Sequence, residues 1–568
     1  MAFQISPGVN TSEIDLTTVV PSVLTTAGAF AGTFPWGPAN QITLTDSEIN
    51  LIKTFAPKGP DSDSAISFFT AANFLSYGNN LQIVRAVGDM ANNATAGDPV
   101  QVLNKTVFEQ SFLYNNNNDD YGAFIARYPG SIGNSLKVAV CANSATFSTW
   151  DYKLYFSSAP GTSDYAAQQD GHDDEMHVVV IDAEGQFTGV AGTVLETFPF
   201  ISKAYDAKLN GVSNYYKQVI FDTSKYVFAV DPVNYATTNS TWGEVAAGRT
   251  FAKPATNQLV TLSTGSDDVP ADGDLELAYD LFKNKEAIDI SLVLTGDASA
   301  TLQDYVISNI ANPDPLTDSR RDCVVFVSPP LSAVVNNSGS ETTDIIAWTD
   351  SISRSSYVFA DSGWKYQYDK YNNVYRWIPL NGDMAGLCVA TDTARDPWFS
   401  PAGFNRGSVK NCIKLAWNPA KSARDLIYSS GVNPVVSFPG QGTILYGDKT
   451  LQNKPSAFDR INVRRLFIAL EKAISTAAKY SLFELNDEFT RAQFVSLITP
   501  YLRDVQGRRG ITDFKVVCDG TNNTPQVIDS NQFVGDIYIK PARSINFIQL
   551  NFIAVATGVD FTTVVGAA

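Results

Sequence analysis

The sequence predicts a multidomain protein of mixed α/β and α+β class, with an α/β core, an inserted and mostly β outer domain, and an extended β arm at each end. Three observations lead there. Strand-like and helix-like segments alternate on both sides of a long interruption, at 26–88 and again at 275–400, the pattern of βαβ units on a parallel sheet. The interruption, 89–274, consists instead of short β-rich pieces and polar loops. Both chain ends are rich in β-branched residues and have no neighbouring segment to pair with.

The elements follow in order. Residues 1–25 form an arm punctuated by Pro7, Gly8 and Pro21, and its strand-forming residues are Val19, Val20, Val23 and Leu24. Such an arm either adds an edge strand to its own domain or pairs with another chain. A helix is predicted over 64–75 from Ile66, Phe69 and Phe74, stopped by Tyr77-Gly78-Asn79, and a strand follows over 81–87. The insertion offers strands at 136–141 and 178–181. Its stretch 161–202 holds eight acids and no Lys or Arg, so it reads as facing solvent. A strand at 290–294, a helix at 302–310 and a strand at 323–327 rebuild the βαβ pattern.

The C-terminal domain, 401–559, carries two helices. In the first, Leu466, Phe467, Leu470, Ile474 and Ala477 share an apolar face, and Arg465, Lys472 and Lys479 share the opposite one. This basic stripe reads either as a solvated face or as a docking face for an acidic partner. From Asp459 to Arg509 there are nine Lys and Arg against six acids, in a chain of net charge −17. The second helix is predicted to start at Thr490, with Gln493 completing a capping box, and to run past Pro500, which should kink it, to Gly507. Strands are predicted at 514–518, 536–540 and 544–557. The tail 560–568 repeats the β-branched character of the N-terminal arm in Phe561, Thr562, Val564 and Val565.

Composition excludes several classes. With 568 residues and 44% hydrophobic content, three or four domains with large cores are expected. The negative charge argues against nucleic acid as a partner. The five cysteines lie at least 24 residues apart, so no paired-thiol metal or redox motif exists, and reduced thiols are expected. Residues 16–45 are uncharged, but Pro21, Pro35 and Pro38 interrupt them, so no membrane insertion is expected. The N-terminus has no basic residue ahead of an apolar stretch, so no cleaved signal is expected either.

The only histidines, His172 and His177, are five apart in His-Asp-Asp-Glu-Met-His. A helical metal pair needs a spacing of four, and a solvated acidic loop is the reading preferred over a chance cation site. In Gly442-Thr443-Ile444-Leu445-Tyr446-Gly447-Asp448-Lys449-Thr450 a carboxylate stands where a phosphate loop needs its lysine. Asp268, Asp272 and Asp274 lack the spacing of a calcium loop and are expected in a surface loop. No nucleophile elbow or triad is present, and no carboxylate pair is singled out, so neither a catalytic residue nor a cofactor or metal site is assigned.

Several motifs remain. They are Ser6-Pro7-Gly8-Val9, Phe34-Pro35-Trp36-Gly37-Pro38, Asn73-Phe74-Leu75-Ser76-Tyr77-Gly78-Asn79 before Val84-Arg85-Ala86, and Asp396-Pro397-Trp398-Phe399-Ser400-Pro401. The run 440–450, Ile461-Asn462-Val463-Arg464-Arg465, Cys518-Asp519, Asn522-Asn523 and Pro541-Ala542-Arg543-Ser544 follow. Spread in this order over most of the chain, they resemble the tail sheath proteins of contractile-tailed bacteriophages. The resemblance implies a non-enzymatic virion protein, assembled in the host cytoplasm, that polymerises with itself as stacked hexameric rings around a tail tube. It implies baseplate and tail-terminator partners, and contraction from a metastable extended state that drives the tube through the host envelope. It further implies strand exchange between subunits through Val19, Val20, Val23, Leu24, Phe561, Thr562, Val564 and Val565. The C-terminal domain would face the tube, with Arg465, Lys472 and Lys479 as the docking residues. Two alternatives stay open: the sheath of a phage-derived injection device, and, from a different class, a carboxylate-dependent hydrolase.

Overall fold

A computed structural model describes residues 23–113, 120–233, 241–312, 320–452, 454–546 and 549. The chain divides into two compact units, residues 1–484 and 485–568.

A seven-stranded sheet organises the first unit. Its strands are β1 (Gly28–Thr33), β2 (Thr43–Thr45), β3 (Leu81–Ala86), β4 (Leu292–Leu294), β5 (Val324–Val327), β6 (Val358–Asp361) and β7 (Val432–Asn433), in the order β7-β6-β5-β4-β1-β3-β2. All neighbours are parallel except the edge pair β2–β3. β1 and β3 to β6 are almost wholly buried, as apolar runs in a sheet covered on both faces should be. The expected strand–helix–strand run is present as β4, helix Ala300–Val306 and β5, with Leu292 opposite Val324. β3 and β4 both flank β1, so the 205 residues between Ala86 and Leu292 leave the sheet on one side of β1 and rejoin it on the other.

Helices α1 (Ala65–Leu75) and α2 (Asn381–Ala394) pack tightly within this unit. Glycine permits the approach: a Cβ at Gly382 would lie 2.5 Å from the Thr70 carbonyl oxygen. Lys365, on strand Trp364–Asp369 of a separate three-stranded sheet, and Asp383 of α2 form a fully buried ion pair at 2.9 Å, with the Tyr77 hydroxyl donating to the same carboxylate.

The insertion has its own architecture. Strands Gln258–Thr261, Leu136–Cys141, Glu175–Asp182 and Thr193–Ser202 form an antiparallel sheet in that order, over a core of Leu136, Val138, Val178 and Val180. His177 lies inside the third of these strands rather than in a solvated loop. Its Nδ1 accepts from the Phe200 amide, its Nε2 meets the Ser158 carbonyl, and Phe156 stacks on its ring at 4.2 Å. Burial lowers its pKa. Asp174 is also buried, accepting from Ser163 and Ser202. His172 alone of the two histidines is exposed. Asp272 and Asp274, expected in a loop, start helix Asp272–Asp280, where Asp274 accepts from the Ala271 amide.

In doubly wound α/β folds, ligands bind beyond the carboxyl ends of the strands. Here that end is filled. Asn381 at the start of α2 donates to the Gly296 carbonyl at 2.7 Å and to Ser328 Oγ at 3.0 Å, and it accepts from the Gly296 amide. Ser328 donates to Asp361 at the end of β6, and burial pushes the Asp361 carboxyl up to about 8.

The unfolded carboxyl loses its proton near pH 4. Between about pH 4 and about pH 8 the folded chain therefore holds one more proton than the unfolded one. The stabilisation from Asp361 is complete below this window and is lost as pH rises through about 8. Asp361→Asn keeps an acceptor for the Gly363 amide and removes the titration. The variant should lose less thermal midpoint than the parent between about pH 5 and about pH 8.5. Identical pH profiles for the two chains would contradict a buried, protonated Asp361.

Candidate assembly site

The candidate site is where the first described residues, 23–25, meet the body. It is built by helix α3 (Ile461–Ala478), which the first unit holds through Ile461 and Ile468 in the main core. The sequence directs one face inward, but the helix enters the body N-terminus first. Its first ten residues are buried all round except Phe467, whereas only Ala473 and Ala477 are buried beyond Leu470. The outward basic stripe is therefore not formed.

Arg465 turns inward, 4% exposed, and pairs with Asp392 of α2 through two contacts of 2.8 and 2.5 Å. Burial alone would lower its pKa, but the charge and hydrogen bonding of Asp392, with a smaller contribution from Cys388, together outweigh burial and the net shift is upward. The pair reaches the arm root. Thr25 Oγ1 donates to Asp392 at 2.6 Å, and Arg465 donates to the Thr25 carbonyl at 3.3 Å. Two helical turns on, Lys472 Nζ meets Asp289 at 2.6 Å, the Ile290 carbonyl at 2.8 Å and Ser291 Oγ at 2.9 Å. Ser291 donates in turn to the Leu24 carbonyl at 2.9 Å. Two of the three residues expected to face a tube thus clamp residues 24 and 25 on their own subunit. Lys479, the third, is exposed at the helix end.

Of the expected strand-exchange residues, Val23 and Leu24 are described and lie in no strand; the Leu24 side chain is 42% exposed. Val19, Val20, Phe561, Thr562, Val564 and Val565 lie outside the described residues. So does most of the predicted strand 544–557.

The second unit offers an incomplete sheet. Strands Ile511–Val517 and Asp536–Pro541 pair antiparallel, and among the described residues no third strand joins them. Helix α4 (Glu488–Gly507) buries Phe494, Ile498, Leu502 and Val505 on one face. It starts two residues earlier than the sequence predicts, because Asp487 rather than a capping box at Thr490 accepts the Thr490 amide. The helix continues through Pro500. Isolated two-stranded sheets are marginal in water, and a sheet edge is where a strand of another chain can be added.

The near-miss phosphate loop is a packing motif. Asp448 is buried against Arg460 at 3.0 Å, and Lys449 donates to the Tyr428 carbonyl. A Cβ on Gly447 would lie 2.8 Å from Asn433 Oδ1. Among the described residues no group of three or more His, Cys, Asp or Glu is placed to hold a metal ion. No helix among them is long and apolar enough to cross a membrane.

The clamp yields a stability prediction. Arg465→Ala leaves a buried carboxylate unpaired and should cost roughly 3–5 kcal/mol, whereas Lys479→Ala should stay within about 0.5 kcal/mol. Urea unfolding monitored by tryptophan fluorescence checks both. Equal midpoints for the two variants would contradict the clamp.

Comparison with known proteins matches these features to a family. Residues 453–554 match the phage tail sheath C-terminal domain, and residues 282–451 match the phage tail sheath protein central domain. The tail sheath protein of Vibrio phage KVP40 is 34% identical over 99% of this chain and all of its own length. That of Enterobacteria phage T4 is 32% identical over 99% of each chain. Among solved structures, the sheath tail protein of Listeria innocua aligns with 92% of this chain and 96% of its own, with a TM-score of 0.53 and 12% identity. The contracted helical sheath of the anti-feeding prophage aligns with 97% of this chain and 99% of its own, with a TM-score of 0.51 and 12% identity. Full-length identity above 30% to phage tail sheath proteins is decisive: this chain belongs to the tail sheath protein family of contractile-tailed phages.

Proposed function

We propose that the chain is the repeating subunit of a contractile phage tail sheath and that its arms join neighbouring subunits by strand addition. Subunits stack as hexameric rings in a helix around the tail tube, with baseplate and terminator proteins at the two ends. The observation that carries this reading is the clamped arm root. Leu24 and Thr25 are held by Ser291–Lys472 and Asp392–Arg465, so tension in an arm passes directly into the α/β core. The two-stranded sheet of the second unit is the natural acceptor for arms of other copies.

Main-chain hydrogen bonds across such a sheet survive rigid-body rotation of the bodies they connect, because the arms absorb the change in direction. The extended polymer then needs no fuel. It is held above the contracted one by a kinetic barrier, and release at the baseplate drives the tube through the envelope. Of the three basic residues, Lys479 keeps the tube-facing role, since its head group is free to meet an acidic partner. The acidic stretch of the insertion, on the outside, keeps the polymer soluble.

A second reading, the sheath of a phage-derived injection device, is favoured by the backbone likeness to the anti-feeding prophage sheath over 97% of the chain. The hydrolase alternative lacks support, because the buried carboxylates Asp361 and Asp383 are both tied to partners within the fold.

Removal of residues 561–568 should abolish cylinders in negative-stain micrographs while leaving the circular dichroism spectrum and thermal midpoint of the subunit unchanged. Cylinders of normal length from the truncated chain would refute the C-terminal arm's role.

A further inference from the structure

The ion pair between Lys365 and Asp383 takes no part in holding the arm root, and its surroundings suit a further reaction. Both side chains are completely buried. Lys365 Nζ lies 2.9 Å from each oxygen of the Asp383 carboxyl group. A nitrogen that close to both oxygens is within about 3.3 Å of the carbon between them, inside the roughly 3–3.5 Å of a near-attack arrangement.

Holding two full charges away from water is unfavourable. The neutral form of the pair is an amine beside a carboxylic acid, which are the partners for amide formation. Burial raises the pKa of Asp383, and the Lys365 charge offsets this only in part, so the acid form is favoured.

The neighbouring groups hold the two reacting atoms in place. The Tyr77 hydroxyl donates to Asp383 Oδ1 at 3.3 Å and is itself fixed by the Lys410 amide, which donates to it at 2.7 Å. It supplies a donor at the oxygen where negative charge develops during attack. The Lys410 carbonyl accepts from Lys365 Nζ at 2.9 Å and anchors the nitrogen. Asp383 Oδ2, though close to Nζ, has no aligned hydrogen-bond partner among the described residues, which leaves it as the oxygen to depart. Groups held in this way reach effective molarities of about 10⁵–10⁸ M. Cys412 is near enough to feel both charges of the pair, and it lines a surface groove of about 680 Å³, so water released here forms close to solvent.

We propose that Lys365 and Asp383 of the folded chain condense into an intramolecular amide, an isopeptide cross-link made without a cofactor. One proton passes from the ammonium group to the carboxylate. The amine attacks Asp383 Cγ, the Nζ–Cγ bond forms and the Cγ–Oδ2 bond breaks. Oδ2 leaves as water with that proton and one more from the nitrogen, and the amide keeps one N–H. Nothing is oxidised or reduced, and the net charge is unchanged. The link ties strand Trp364–Asp369 to helix α2, which also carries Asp392 and its hold on Thr25. It closes the chain between residues 365 and 383 into a ring, and a cross-link of this kind stabilises a fold by restricting the unfolded chain.

The test uses the full chain, kept folded at neutral pH and sampled over days by intact mass spectrometry and peptide mapping. A fraction lighter by one water should grow with time, and a branched peptide should join Lys365 to Asp383. The same chain held in urea should keep its full mass, as should Lys365→Arg. Tyr77→Phe should slow formation at least ten-fold while its circular dichroism spectrum matches that of the parent.

Full mass in the folded parent after the longest incubation would overturn the proposal. So would a water loss that maps to another position or persists in Lys365→Arg. An unchanged rate in Tyr77→Phe would overturn the part given to the Tyr77 hydroxyl. If either variant does not fold, the presence or absence of the branched peptide in the parent decides by itself.

Discussion

The buried ion pair between Arg465 and Asp392 fixes the relation between three parts of the chain that are distant in sequence. It joins helix α3 to helix α2, and through Thr25 it joins both to the root of the N-terminal arm. A desolvated pair of this kind contributes little net stability compared with apolar packing, but breaking it strands a charge. Its value is positional. A two-contact guanidinium–carboxylate pair defines direction as well as distance, so it fixes where Thr25 sits on the body. Lys472, two turns along the same helix, repeats the arrangement through Ser291 and the Leu24 carbonyl.

The strand ends where related architectures hold ligands are closed by Asn381, Ser328 and Asp361, and Asp361 keeps its proton near neutral pH. A crevice filled by hydrogen bonds from its own helix makes a stiff body. Stiff bodies joined by pliable strands are what a cylinder needs if it is to shorten without losing its connections.

Much of this was legible in the sequence, for reasons of periodicity. The βαβ run from β4 to β5 follows from spacing, and the end of α4 at Gly507 was also legible. The sequence motifs pointed to the family that the full-length relatives establish. The inward turn of Arg465 was not legible, because a helical wheel gives an angle and not the number of neighbours. The N-terminal half of α3 is enclosed on all sides, and Arg464 also lies buried over the rings of Tyr357 and Phe458. The signal that could have found the clamp is Asp392, an acid near the end of a helix that has no Lys or Arg of its own and so calls for a cation from another element. His177 was misplaced because its acidic neighbours suggested solvent, whereas Asp174 is buried by serine hydroxyls and the histidine by aromatic rings.

The most direct test is electron cryo-microscopy of the assembled cylinder, at a resolution that traces the main chain from Thr25 towards residue 1 and from Ala542 towards residue 568. Density for both ends should run from the clamped root and from the second unit onto other subunits, adding strands beside Ile511–Val517 or Asp536–Pro541. Ends folded back along their own subunit, with those two edges left bare, would contradict a sheath knitted together by its arms.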